Sequence, residues 1–448
     1  MLNVLPRWLN AAAFAALAGC GSQTSSTTPP IDDPGGTTET TPPGDTGTGS
    51  GSDAGPGPQA CAPAGTTGST IFSIDTGAGA FDLQSSVAVD AAGDVFYTRG
   101  RAGAFSLTRY TPAGKLVYSV PYGEVVAADA AGNAYVAAAF TTTIDIGLGP
   151  MVPADDMDVF VAKLGPDGKP VFARALGLCP DSVRAIAVSG DGRIAVSGDE
   201  MGTLVLDAKG ELLFRRDFAG DLAFDSAGNL IVAGGFSGAI ALGDGVSFET
   251  AGDLDGFVVK LDRDGNHLWS QRFGDATLPI QLLGDGGMVP DPTRQLVDAV
   301  AIGPGDEVVL VGQFDKDAKL FGKDYAAASV AIASVPLRSG GFVIALDASG
   351  AMVQTTVQLG IGDYADVAVD SRGNQVVTGV ELVDFSPPFR AALLTRFTAG
   401  TAGFARADAI GAGHAVAVDA CGAMLWSASV RRGSPDQPLV STLVKLAP

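Results

Sequence analysis

The sequence predicts an all-β protein: a seven-bladed β-propeller, closed by pairing of its N- and C-terminal strands, that follows a disordered tether. Three observations predict it. Two apolar runs joined by an Asp/Gly turn recur from Val87, Val125, Ile186, Leu222, Val300, Val367 and Val416. A second form of the same motif is interleaved, from Leu107, Phe160, Leu204, Phe257 and Phe342. Such a pair of runs reads as a β-hairpin, two alternating hairpins make a four-stranded unit, and tandem units of that size make a propeller. Lastly, the chain ends one strand short and begins with one to spare.

Taken in order, residues 1–19 carry one basic side chain, Arg7, and then a short small-residue apolar run. The run is too short for a stable membrane anchor. It ends in Leu17-Ala18-Gly19-Cys20, which resembles the lipobox of bacterial lipoproteins. The resemblance implies cleavage before Cys20 and lipidation of that cysteine. Gly21 follows where the inner-membrane retention signal would have Asp, so the implied address is the bacterial cell envelope, with the outer membrane favoured.

Residues 20–60 are Ser, Thr, Gly, Pro and Asp with almost nothing apolar, and their five acids have no basic partner. A segment of this kind cannot bury enough surface to offset its ordering entropy. It is expected to act as a disordered spacer with a reach of roughly 35 Å. The propeller is expected over residues 61–448.

The blades are anchored at Asp90 and its equivalents Asp129, Ser189, Asp225, Gly303, Asp370 and Asp419. The strand before each anchor, such as Val87-Ala88-Val89, is apolar at consecutive positions and is expected to be buried on both faces. Phe257–Leu261 alternates more and is expected nearer the rim. After Val430 the chain supplies only Ser441–Leu446, and Thr70–Ile74 is the spare strand that would complete the seventh blade and remove its open edges.

Bulk composition fits. The chain has 448 residues, of which 61 are Gly and 26 Pro, enough turn formers to argue against long helices. Its 49 acids against 28 bases give a formal charge of −21. That sign repels phosphate backbones, and no basic stripe offsets it, so nucleic acid is not an expected partner.

Phe257-Val258-Val259-Lys260-Leu261-Asp262 with Gly265, Asn266 and Trp269 resembles the β-propeller repeat of bacterial secreted proteins and lipoproteins. The run from Asp158 is similar, as are Phe236–Gly243 and its echo from Phe140. Blades two and four carry the resemblance best and blade five in part. It implies a secreted or surface propeller, and the family shares a fold more than an activity.

Candidate chemistry is sparse. The acidic loop Asp262-Arg263-Asp264-Gly265-Asn266 and the group Asp155, Asp156 and Asp158 could offer oxygen ligands to calcium, but Asp and Gly are also what a tight turn requires. Turn chemistry is the preferred reading, so no metal and no cofactor are expected. The two histidines, His267 and His414, fall on different hairpins and have no nucleophile-elbow context. No phosphate-loop, zinc-peptidase or CxxC motif is present. Trp269 and Trp426 sit within strands, where a packing role is the default.

The reading is therefore a lipid-anchored extracytoplasmic binding or scaffold module, not an enzyme, with a protein or glycan ligand. The alternative is a glycan lyase or hydrolase with carboxylates on the ring axis. Long insertions, roughly 141–156, 237–253, 274–295 and 315–339, are all expected on one face, where a partner would bind. With Cys20 lipidated, Cys61, Cys179 and Cys421 remain, an odd number for an oxidising compartment. The blade assignment places Cys61 and Cys421 on the same face of blade seven and Cys179 on the opposite face, so Cys61–Cys421 is the expected disulfide.

Overall fold

A computed structural model describes residues 66–448, less stretches of one to seven residues in the connections. The expected signal peptide, Cys20, the linker, Cys61 and Cys179 lie outside the described residues. Every regular element among those described is a β-strand.

The strands form seven antiparallel sheets arranged as blades. Blade two shows the pattern: Val125–Ala128, Ala134–Phe140, Asp158–Leu164 and Pro170–Ala175, from the axis outward. Blade four repeats it with Asp221–Phe224, Leu230–Phe236, Asp255–Leu261 and His267–Phe273. Each first strand packs beside the first strand of the next blade, and that of blade seven, Gly411–Val418, packs beside that of blade one, Gln84–Val89. The ring is closed.

Closure uses both ends of the chain. Thr70–Ala78 pairs antiparallel with Val440–Leu446, from Thr70 opposite Leu446 to Ala78 opposite Val440. Ala447 N donates to Ser69 O at 2.8 Å and Gly68 N to Ala447 O at 3.0 Å, so the pairing continues to the last residues.

The core is divided into seven apolar clusters, one in each seam between neighbouring blades. Phe273, Phe314 and Phe342 fill the seam between blades four and five. The seam between blades seven and one has the smallest cluster, Val95, Tyr97, Ala417, Leu425 and Leu443. Hydroxyls supplement it: Ser85 and Ser427 lie 2.9 Å apart, and Tyr97 OH approaches Ser427 and Ser441 at 3.5 Å.

Burial corrects two expectations. Phe257–Leu261 is the third strand of its blade and is buried throughout, not near the rim. Val87–Val89 is only half-buried, because one face of an inner strand looks into the axis instead of into a neighbouring blade. The fully enclosed strands are the second and third, and the alternating pattern belongs to the fourth, as in Leu212–Arg216.

The anchor aspartates explain how a lysine can sit inside a buried strand. Asp225 Oδ1 accepts Ala227 N and Asn229 N at 2.9 and 2.8 Å, closing the turn between the first two strands. Its Oδ2 meets Lys260 Nζ, from the third strand, at 2.8 Å. The same pair recurs as Asp90–Arg109 at 3.3 Å, Asp129–Lys163 at 3.6 Å, Asp370–Arg396 at 3.1 Å and Asp419–Lys445 at 2.9 Å. In blade three the anchor is Ser189 and the third-strand position is Val205; in blade five they are Gly303 and Ala345. Cation and anion are lost together. A buried charge without its partner is costly, so the two positions change as a unit.

Neighbouring blades are also clasped at the rim. Phe72, Tyr118, Phe172, Phe214 and Trp269, each on a fourth strand, lie against Gly114, Gly168, Gly210, Gly265 and Gly350 in the outer turn of the following blade, and Phe404 lies against Gly68. A β-carbon on Gly265, whose φ is +87°, would stand 2.8 Å from the Phe214 ring. In the remaining seam, between blades five and six, the aromatic is replaced by Gln354, whose amide reaches Gln375 Oε1 at 3.4 Å.

Candidate functional site

The anchor turns and outer turns occupy one face of the ring, and the connections from second to third strand and from blade to blade occupy the other. All four long connections are on that second face and all four contain strands. Ile144–Asp145 pairs with Pro150–Met151, and Ala239–Gly243 pairs with Val246–Glu249. Ile280–Leu282 pairs with Met288–Pro290, and Ala318–Leu320 pairs with Lys323–Tyr325. Blade five adds Ala328–Ile332, which pairs with the start of Val335–Leu346.

The bases of the first two hairpins are built alike. In blade two Phe140 ends the second strand and stacks edge-on against Phe160, with Tyr122 on the other side, at centroid distances of 5.9 and 6.2 Å. In blade four Phe236 and Phe218 flank Phe257 at 6.0 and 5.9 Å. Where the hairpin rejoins the third strand, a buried aspartate gathers the returning backbone. Asp158 accepts Val159 N at 2.6 Å and Ala154 N at 3.3 Å. Asp255 accepts Ala251 N at 2.9 Å and pairs with Arg272 at 2.7 Å. The hairpins therefore rise from stiff roots.

The acidic turns proposed for calcium are turns. Asp262 Oδ1 accepts Asp264 N and Asn266 N at 2.9 and 2.8 Å, and Oδ2 accepts the Asn266 amide at 2.9 Å. Burial alone would raise its pKa; the bonds from Asn266 and Asp264 outweigh this and hold it below the ordinary carboxylate value. Asp158 is absorbed in its loop root, and Asp155 lies outside the described residues. Among the described residues no three His, Cys, Asp or Glu side chains are grouped to hold a metal.

The histidines are kept apart. His267 is half-buried on the outer strand of blade four, with Nε2 2.9 Å from Ser270 Oγ. His414 sits at a bulge in the inner strand of blade seven, its Nε2 2.9 Å from Ser429 Oγ. That pair has the spacing of a nucleophile and its base, but Ser429 is wholly buried and cannot meet a substrate. Trp426 is also wholly buried and donates to Thr378 Oγ1 at 2.8 Å. Trp269 donates to Ala348 O at 3.1 Å as part of its rim clasp.

Among the described side chains, inner-strand carboxylates occur on three consecutive blades, as Asp221, Asp298 and Asp366, and each of these is occupied. Asp221 Oδ2 accepts Val300 N and Asp366 Oδ2 accepts Val416 N, both at 2.8 Å, each tying one inner strand to the next. Asp298 accepts the Gln313 amide at 3.2 Å. Ser86 does the same work between blades one and two through Val126 N at 3.4 Å. Asp221, Asp366 and Ser86 thus tie inner strands of neighbouring blades together, and Asp298 ties the inner strand of blade five to its own second strand.

The anchor–cation pairs and the rim clasps escaped sequence reasoning. Their signal was present: a Lys or Arg stands just before the last apolar residue of the third strand wherever the anchor is Asp, and nowhere else. Cys421, in the anchor turn of blade seven, is disulfide-bonded. Its partner lies outside the described residues.

No protein-family model matches the chain, and none of the curated proteins matches it. Solved structures of similar fold include the WD40 repeats of RRP9, at 10% identity over 85% of this chain and 99% of that one, with a TM-score of 0.47. U3-55K is similar at 10% identity over 85% of this chain and 100% of that one, with a TM-score of 0.48. The likeness is one of fold, and the chain is a seven-bladed β-propeller by its own strand order.

Proposed function

We propose that this protein is a binding or scaffold module, not an enzyme, held at the bacterial envelope by a lipid on Cys20. It presents the face of long connections to a protein or glycan ligand. The observation that carries the reading is the placement of all four long connections on one face, as strand-containing hairpins, two of them on aromatic roots. Loops of this length in a compact fold are commonly functional. Among the described residues, the inner-strand carboxylates Asp221, Asp298 and Asp366 each hold a strand-to-strand or side-chain bond, which supports the reading from the other side.

The test is a pull-down from envelope extract with the lipidated protein, comparing the intact chain with one in which 315–339 is replaced by a short turn. Loss of specific partners on replacement is expected. Unchanged recovery would remove this face as the binding surface. The anchor is tested separately: Cys20→Ser abolishes fatty-acid labelling and membrane fractionation.

A further inference from the structure

The turn face carries a feature that turn chemistry does not require. The third residue after the outer-turn glycine is an exposed aliphatic in six of the seven blades: Ile71, Val117, Val171, Leu213, Leu268 and Val353, each 45–60% exposed. In blades one, three and five the residue before it is an exposed aliphatic as well. Scattered surface leucines are ordinary, but one apolar position repeated on six of seven blades is a pattern around the rim.

Two independent observations say what covers it. The polypeptide that leads to Cys20 joins the ring on this face: Ser69 N bonds Thr66 O at 2.9 Å, and Gly68 N bonds Ala447 O beside the anchor turn of blade seven. The charges of the two faces also differ. Connections 141–156 and 237–253 each carry three acids and no Lys or Arg, 274–295 carries three acids and Arg294, and 315–339 carries three acids with three Lys and one Arg. On the turn face most acids are ion-paired or cap their own turns, as Asp167 with Lys169, Asp191 with Arg263, Glu211 with Arg174, and Asp207 and Asp347 in their turns, while Asp264 is exposed. A bilayer rich in anionic headgroups repels the second face less than the first, because most of its acids are matched by a Lys or Arg.

We infer that the turn face rests on the lipid surface, its aliphatic rim entering the headgroup boundary, so that the long connections point away from the membrane. This rests on the lipid-anchor reading proposed above. A lipid on Cys20, joined through a spacer with a reach of roughly 35 Å, holds the protein at the membrane but leaves its orientation free, and a weak contact of this kind fixes it.

The test uses the full-length lipidated protein in phosphatidylcholine vesicles, with and without phosphatidylglycerol. Leu213→Cys on the rim and Val152→Cys on the long-connection face are labelled with a membrane-impermeant maleimide, over the background of the parent chain. The reference is the same variants of residues 58–448, a compact unit by themselves, in vesicle-free buffer. Labelling at L213C is expected to slow several-fold on vesicles while V152C is unchanged, and the protection is expected to disappear when L116N, L268N and V353N are added. Equal labelling at both positions, slowing at V152C, or protection that survives the three Asn substitutions would overturn the inference. Failure of the anchor shows separately, as absence of fatty-acid label and of vesicle association in the parent chain.

Discussion

Lys260→Val gives the sharpest test of how the ring tolerates lysine in its most enclosed strands. Lys260 and Asp225 are 2.8 Å apart with side chains 6% and 2% exposed, so removing the cation strands a carboxylate away from solvent. Breaking a buried pair from one side costs about 3–5 kcal/mol. With an unfolding entropy of about 2.1 cal/mol/K per residue over roughly 380 residues, that lowers Tm by about 4–6 °C. Asp225→Ser with Lys260→Val installs what blade three already has, where Ser189 Oγ accepts Arg193 N at 2.9 Å beside buried Val205. The double variant is expected to lose only about 1–2 kcal/mol, because no charge is left unpaired and one capping bond survives. Calorimetry and urea unfolding of the wild type, both single variants and the double variant complete the cycle. A second readout is pH: unpaired in K260V, Asp225 has its folded-state pKa raised, so the deficit of that variant shrinks as pH falls. A double variant less stable than K260V would refute the reasoning and show that the ion pair is itself strongly stabilising.

Other expectations follow from the same geometry. Phe214→Ala empties the clasp over Gly265 and is expected to cost about 2–3 kcal/mol by urea unfolding, below the usual range for a Phe because the ring is half-buried. Gln354→Ala, at the equivalent place in the unclasped seam, should cost under about 1 kcal/mol. Asp129, Asp225 and Asp262 are raised by burial but lowered further, Asp225 first by its Lys260 hydrogen bond and then by Asn229, Asp129 by Asn133, Tyr135 and Lys163, and Asp262 by Asn266, so each ends below 3.8. Their stabilisation is complete above the unfolded-state value and is lost as pH falls through the lowered folded-state values; Asp225→Asn should therefore flatten the acid limb of a stability–pH curve. Non-reducing peptide mapping is expected to find Cys421 joined to Cys61. The chain-entropy model puts the loss in Cys421→Ser at about 6 kcal/mol at most for so long a loop, and a Cys179–Cys421 peptide would reject the pairing.

Much of the ring was readable because hairpin turns are local. Asp90 and Gly93 act within four residues of each other, and the spare strand at Thr70 needed only a count of strands to be placed beside Val440–Leu446. Lys260 was misread for a matching reason. Phe-Val-Val-Lys-Leu has the look of a strand with one wet face, and the carboxylate that makes the lysine tolerable lies 35 residues upstream. The rim clasps were hidden likewise, since Phe214 and Gly265 meet only after two blades have packed. The long connections were located through their length, but their conversion into hairpins rests on pairings that apolar periodicity does not mark in segments as short as Ile144–Asp145.

The shared seventh blade has a consequence for how the chain is made. Thr70–Ala78 is synthesised first among the described strands, and its partner, Val440–Leu446, last. Thr76 and Ser441, which share a hydrogen bond, are 365 residues apart. Until the final strand arrives, the first is an unpaired edge able to pair with another chain. Closing so long a loop is slow relative to local hairpin formation. The newborn ring must therefore wait, open at one blade, and anything that shields a lone strand would govern how much of it matures.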